Sequence, residues 1–241
     1  MRHIFQAALM LLFPGLCPAQ LLAPPEALDR YLARPHAQPG CSDLVFEVRI
    51  DASLPKLGRQ GSMDGLKVVS KTGQIAYRGL RFTGDNLVKT AVIARFLAND
   101  AKPPVQTSSV AITRRNYSFV YERTSAYNGS IAHVFRLRPN RKRVGLFKGE
   151  LWLDASTAAP LRLWGDFSKS PSIFIRSFRF VQDYQSLGQC NQPVRLLLTI
   201  QTRVAGKAEM AVWQHSVDSR PPHDEAGVSG SDIVGSRGIE H

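Results

Sequence analysis

The chain has 241 residues, a formal net charge of +12, 44% hydrophobic residues and 9% aromatic ones. Twelve Phe, six Tyr and three Trp supply too much apolar surface for a disordered polymer, and no internal apolar run reaches the roughly 20 residues of a membrane-spanning helix. Three Cys without a CxxC pair exclude a zinc ribbon and a Cys-dense small scaffold, leaving a basic globular chain of one large domain or two small ones.

Residues 1–19 (MRHIFQAALMLLFPGLCPA) open with Arg2 and His3, continue through the apolar stretch Ile4–Phe13 and end in Cys17-Pro18-Ala19, ahead of Gln20. That is the layout of a secretory signal peptide. Pro14, Gly15 and Pro18 disfavour a buried N-terminal helix here, and Leu16 before Cys17 disfavours a lipoprotein signal. The expectation is export to the periplasm, with a mature chain starting at Gln20. Cys41 and Cys190 then stand in an oxidising compartment. A bridge between them would close a loop of about 150 residues and contribute at most roughly 4–5 kcal/mol. Two free thiols are the other reading.

Within 20–43, Pro24–Arg34 (PPEALDRYLAR) reads as a short helix, with Leu28 and Leu32 at i, i+4, and Pro35–Gly40 as its linker. From Leu44 the pattern turns to period two, with strands at 44–50, 66–70 and 75–83 and a turn at Lys71-Thr72-Gly73. Gly84-Asp85-Asn86 opens an internal helix, Leu87–Asn99, which Asp85 or Asn86 can cap. Val88, Val92 and Phe96 fall at i, i+4, i+8, with Ile93 and Leu97 beside them and Lys89 and Arg95 off the stripe. Pro103-Pro104 stops it. Strands follow at 117–123, 133–138, 146–154, 160–167, 173–184, 194–204 and 208–216, with Asn128-Gly129 as a hairpin turn. Residues 217–241 are Gly, Ser, Asp and Pro-rich without periodicity and read as a disordered tail.

Successive strands on short turns make an antiparallel sheet, and long strands suit a curved one. Two helices cannot cover such a sheet outside, but one can plug its concave side. The expected fold is mainly β (α+β): an unclosed antiparallel β-barrel or strongly curved sheet over 44–216, with one or two helices plugging the concave face. The expected pocket is lined by Val88, Val92 and Phe96 of the helix and by Phe119, Phe135, Trp152, Phe178 and Leu196 of the strands. Which parity faces inward stays open, since a one-residue slip swaps the faces.

Arg2 carries one of the positive charges, and the tail from Val217 holds five acids against two bases, so residues 20–216 carry +14. Six cations, Arg136, Arg138, Arg141, Lys142, Arg143 and Lys148, cluster in one hairpin region. The cluster suits an anionic partner such as a membrane surface; a merely solvated face is the other reading. The export signal argues against nucleic acid. There is no HExxH, Walker loop, G-x-G-x-x-G or G-x-S-x-G motif. His133 and His215 sit singly in strands, and Asp154 and Asp166 flank what reads as an Asp-capped turn. No catalytic residue, metal ligand or cofactor is expected.

The stretch 116–184, with HVFRLRPNRK followed by FKGELWLDASTAAPLRLWGDFSKSPSIFIRSFRFVQDY, resembles the outer-membrane lipoprotein-sorting proteins, the LolA-like group. Leu137-Arg138-Pro139, Leu151-Trp152-Leu153-Asp154, Thr157–Pro160 and Leu161-Arg162 occupy the places of that group's strand and turn motifs. The resemblance implies an unclosed barrel with helices in its mouth, holding acyl chains. It does not supply the lid arginine of the carriers, and the acidic tail and two cysteines depart from the pattern. The leading expectation is a monomeric, periplasmic lipid- or lipoprotein-binding carrier in lipoprotein sorting to the outer membrane, not an enzyme. A non-enzymatic envelope sensor or protein-interaction module on the same fold is the alternative.

Overall fold

In the computed structural model the described residues are 21–34, 44–70, 73–101, 109–170, 173–187, 190–204 and 206–217. The expected signal peptide, Cys41 and residues 218–241 of the expected tail lie outside them. Helix α1 (Pro24–Ala33) precedes ten strands. These are β1 (Leu44–Leu54), β2 (Arg59–Val69), β3 (Ile75–Gly84), β4 (Tyr117–Tyr127), β5 (Ser130–Pro139), β6 (Phe147–Asp154), β7 (Pro160–Phe167), β8 (Ile175–Leu187), β9 (Cys190–Thr202) and β10 (Lys207–Val217).

All ten form one sheet in the order β3-β2-β1-β10-β9-β8-β7-β6-β5-β4, with antiparallel neighbours throughout. The edges β3 and β4 are not paired to each other, so the barrel is unclosed. Pairing slips by a residue at 64–66, 121–123, 152–153, 175–177 and 183–184, the kind of bulge that bends a long sheet. The Asn128-Gly129 turn joins Tyr127 to Ser130 with both turn residues at positive φ, as a tight hairpin requires.

Burial separates the faces. Phe46, Val48, Ile50 and Ala52 of β1 point inward with Met63 of β2, Met210 and Val212 of β10, Leu198 of β9 and Phe180 of β8. On β6 the inward residues are Phe147, Gly149, Leu151 and Leu153. Gly149 and Gly165 face each other across β6 and β7; a Cβ on Gly149 would run into the Trp164 carbonyl, and one on Gly165 into the Phe147 ring. Side-chain-free backbone here leaves the space that the aromatic rings fill.

The central helix spans 86–100. Asp85 caps it, its Oδ1 accepting from the Leu87 and Val88 amides at 2.8 and 3.2 Å. Its middle is not α-helical: Lys89–Ile93 is π-helical, between α-helical Asn86–Val88 and Ala94–Asp100. The wide turn inserts one residue into the repeat. The buried stripe is therefore Val88, Ile93 and Leu97 rather than the expected Val88, Val92 and Phe96, and the last two are half-buried at its border.

Candidate functional site

The central helix packs on the inner face of β1, β2 and β3. Val88 lies against Gly61, where an added Cβ would sit 3.4 Å from the Val88 side chain. At the other end Lys67 of β2, buried on the inner face, pairs with Asp100 at 2.8 Å, and the Tyr77 hydroxyl donates to the same carboxylate at 2.7 Å. Burial, and then the hydrogen bond to Asp100, pushes the Tyr77 phenol well up from its ordinary value. This polar clasp fixes the helix's C-terminal end to the sheet.

Helix α1 takes a second part of the concave side. His133 Nε2–H donates to the Leu22 carbonyl at 2.8 Å, and Nδ1 contacts Thr124 Oγ1 at 3.1 Å. The Leu22 amide donates to the Ala155 carbonyl, and Arg34 donates to the Thr157 carbonyl at 2.6 Å. Arg34 Nη1 is buried with no hydrogen-bond partner among the described residues. Burial pushes the Tyr31 phenol up to about 12 against the lowering effect of Arg34. The segment 109–116 covers a third part, with Val110 over Gly145 and Arg114 paired to Asp29 of α1 at 2.5 Å.

Between these covers runs a tier of rings. Phe119, Tyr117, Phe147, Phe180, Phe167 and Phe178 follow one another across β4, β6, β7 and β8 with centroids 4.7–6.5 Å apart. Phe119, Phe167, Phe178, Leu196 and Ile200 are only half-buried on the core beneath them. Of the expected pocket residues, Phe119, Phe135, Phe178 and Leu196 lie on this inner face and Val88 lies under the helix. Phe147, Phe167, Phe180 and Tyr117 were not in that set, although stepping by two from Phe119 and Phe178 reaches Tyr117 and Phe180.

Trp152 is a correction. It stands on the outer face, opposite Val134, because inward positions on β6 are odd-numbered. There its indole N–H donates to Glu150 at 2.9 Å, Tyr127 meets its edge and the Arg123 guanidinium lies 5.4 Å above its ring. Nearby on that face Asp183, nearly buried, accepts from Arg162 at 2.7 Å, Arg195 at 2.8 Å and Tyr127 at 2.9 Å. Burial alone would raise its pKa; the three donors win and hold the carboxyl below its usual range.

Two grooves are open to solvent, and neither is lined by any expected pocket residue. One of about 600 Å³ includes Asp51, Ser62, Thr83, Thr199 and Glu209, on the outer face of β1, β2, β3, β9 and β10. The other, of about 890 Å³, runs over β5–β7 past Arg136, Arg138, Lys142, Lys148 and Trp164. Of the six-cation cluster, Arg136, Arg138, Lys142 and Lys148 line this groove, Arg136 pairing with Glu122, while Arg141 and Arg143 flank Lys142 in the exposed β5–β6 turn. Asp154 caps its own turn, its Oδ1 accepting from the Ser156 and Thr157 amides at 3.0 and 2.8 Å, and Asp166 pairs with Arg179 at 2.8 Å. Cys190 is buried at the head of β9 and is not without a partner. No group of three or more His, Cys, Asp or Glu able to hold a metal occurs among the described residues, and no helix there is long and apolar enough to cross a membrane.

No protein-family profile matches the chain, and no curated protein does. Among solved structures it is similar to a LolA superfamily protein from Nitrosomonas europaea, at 13% identity over 83% of this chain and 96% of that one, with a TM-score of 0.35. It is similar to a putative outer membrane lipoprotein-sorting protein domain from Vibrio parahaemolyticus at 12% identity, over 83% and 94% of the two chains, with a TM-score of 0.37. It is also similar to the MucA/MucB complex of Pseudomonas aeruginosa at 14% identity, over 80% and 94%, with a TM-score of 0.27.

Proposed function

We propose that the chain is an exported, periplasmic carrier that holds an acyl chain of a lipid or lipoprotein against its inner face, in lipoprotein sorting to the outer membrane, without chemistry of its own. The observation that carries this reading is that three rings of the aromatic tier, Phe119, Phe167 and Phe178, are left half-buried on the inner face while the central helix packs mainly on β1–β3. Phe96 and Val92 of the helix are likewise half-buried against the core. The motifs within 116–184 support it. A sixteen-carbon chain offers roughly 12 kcal/mol of gross transfer energy at about 0.8 per CH₂. Ordering the chain and shifting the helix take much of that back. Native mass spectrometry of protein purified from its own periplasm tests the reading. A mature chain beginning at Gln20 with lipid attached is expected. Lipid-free protein that also fails to bind a fluorescent fatty acid overturns it.

A second reading rests on β4. It is an open sheet edge carrying exposed Val120 and Tyr121, and an extended partner segment could add to it as an eleventh strand. Under that reading a peptide partner protects the β4 amides from hydrogen exchange and no lipid is found.

A further inference from the structure

In an antiparallel meander alternate connections fall at the same end of the sheet. Here that end, the rim, gathers the connections that follow β1, β5, β7 and β9. Their described residues touch one another. The Ser168 amide donates to the Leu146 carbonyl at 2.8 Å. The Arg203 amide and Nε donate to the Phe174 and Ile173 carbonyls at 2.8 and 2.7 Å, and Gly206 lies against the Lys56 side chain.

The rim has an unusual surface. Its tips are apolar and outward: Val144 is 44% exposed, Phe174 59%, Val204 75% and Ile173 79%. Each turn also bears cations, Arg143 next to Val144 and Arg203 next to Val204, with Arg141, Lys142 and Lys169 close in sequence. None of these five cations forms an ion pair among the described residues. The acids of this end are already taken, Asp166 by Arg179 and Glu209 by Lys207. Exposed apolar tips cost hydration energy in water, and unpaired cations beside them repel one another. An anionic bilayer relieves both, taking the tips among its headgroups and the cations at its charged plane. An acidic protein surface would satisfy the cations but not the separated tips.

We infer that this rim, with Val144, Ile173, Phe174 and Val204 as its inserting tips and Arg141, Lys142, Arg143 and Arg203 as its charged collar, docks the protein on anionic phospholipid membranes. The inference goes beyond the carrier reading and does not require it, since docking involves no acyl chain on the inner face. It also gives that reading a geometry: Phe147, Phe167 and Phe178 lie at the strand ends next to this rim, so docking brings one end of the aromatic tier to the bilayer.

The test is flotation of the full mature chain with vesicles in which roughly one lipid in three is phosphatidylglycerol, against pure phosphatidylcholine vesicles. Binding to the first only, weakened by salt, is expected. Arg141→Glu with Lys142→Glu lowers the partition coefficient by at least about tenfold. Arg78→Glu with Arg95→Glu, the same change in net charge away from the rim, leaves it within about threefold. Ile173→Ser with Val204→Ser lowers it by about fivefold or more. All six positions are exposed, and circular dichroism checks that each variant folds. A Phe174→Trp reporter shifts its emission to the blue on anionic vesicles. Equal losses in both charge-reversal pairs, an unshifted reporter, or binding to polyglutamate without binding to vesicles each overturn the inference.

Discussion

Asp183 draws Arg162, Arg195 and Tyr127 from three other strands onto one carboxylate on the outer face. Asp183→Asn leaves two guanidinium groups short of a charge partner. The expected loss is about 2–3 kcal/mol in urea unfolding at neutral pH, below the figure for a fully buried pair because Arg195 is partly exposed. The pH dependence has a definite sign. The folded carboxyl titrates below its usual range. Its contribution is therefore fully present above the unfolded-chain value of about 3.9 and is lost as the pH falls through the lower folded value. Urea midpoints of the wild type measured downward from pH 5 should fall more steeply than those of Asp183→Asn; parallel curves would show the network to be unimportant. Asp183 was not legible as a site residue, because its partners come from positions 12 to 56 residues away in sequence.

The central helix shows how one turn changes a residue's role. Straight α-helical spacing puts Val92 and Phe96 under Val88; the π-helical segment puts Ile93 and Leu97 there. Leu97→Asp therefore places a charge in the packed core and should cost about 3–4 kcal/mol, read as a lowered thermal midpoint. Phe96→Asp should cost under about 1.5 kcal/mol, because Phe96 is already half in water, yet weaken fluorescent fatty-acid binding about tenfold. Lys89→Asp should leave that binding unchanged. Equal destabilisation by the changes at 96 and 97 would argue against the shifted stripe. The helix, its Asp85 cap and its apolar content could be read from local sequence. The π segment could not, since it is packing on β1–β3 that stabilises the wide turn.

At the scale of the molecule, Cys190 lies at the head of β9, and the other cysteine of the expected mature chain, Cys41, stands just before β1 in sequence. We infer that the two form a bridge in the exported chain, supported by the burial of Cys190. Strands β9 and β1 are separated in the sheet by β10, so the bridge would tie the chain across that strand. Reduction should then lower the denaturation midpoint by an amount equivalent to up to roughly 4 kcal/mol, and the Cys190→Ser variant should unfold at that lower midpoint with or without reductant. Two thiols labelled in non-reducing denaturant would exclude the bridge.

Local sequence determined the mainly β class, the positions of α1 and the central helix, the Asn128-Gly129 hairpin and most strand centres, because turn chemistry and period-two alternation act within a few residues. It also determined that Phe119 and Phe178 belong to apolar faces. Only the tertiary structure decided which face is inner. That choice placed Trp152 outside, where its N–H finds Glu150, and spent His133 on holding Leu22. It also decided that β10 pairs with β1, and so that the turn after β1 joins the end of the sheet where the turns carrying Val144, Phe174 and Val204 already lie. The physical reason is range. Hydrogen bonds within a turn and side-chain alternation along a strand are local, whereas strand order, bulges and the π segment are set by contacts between residues far apart in the chain, whose closure no short window of sequence encodes.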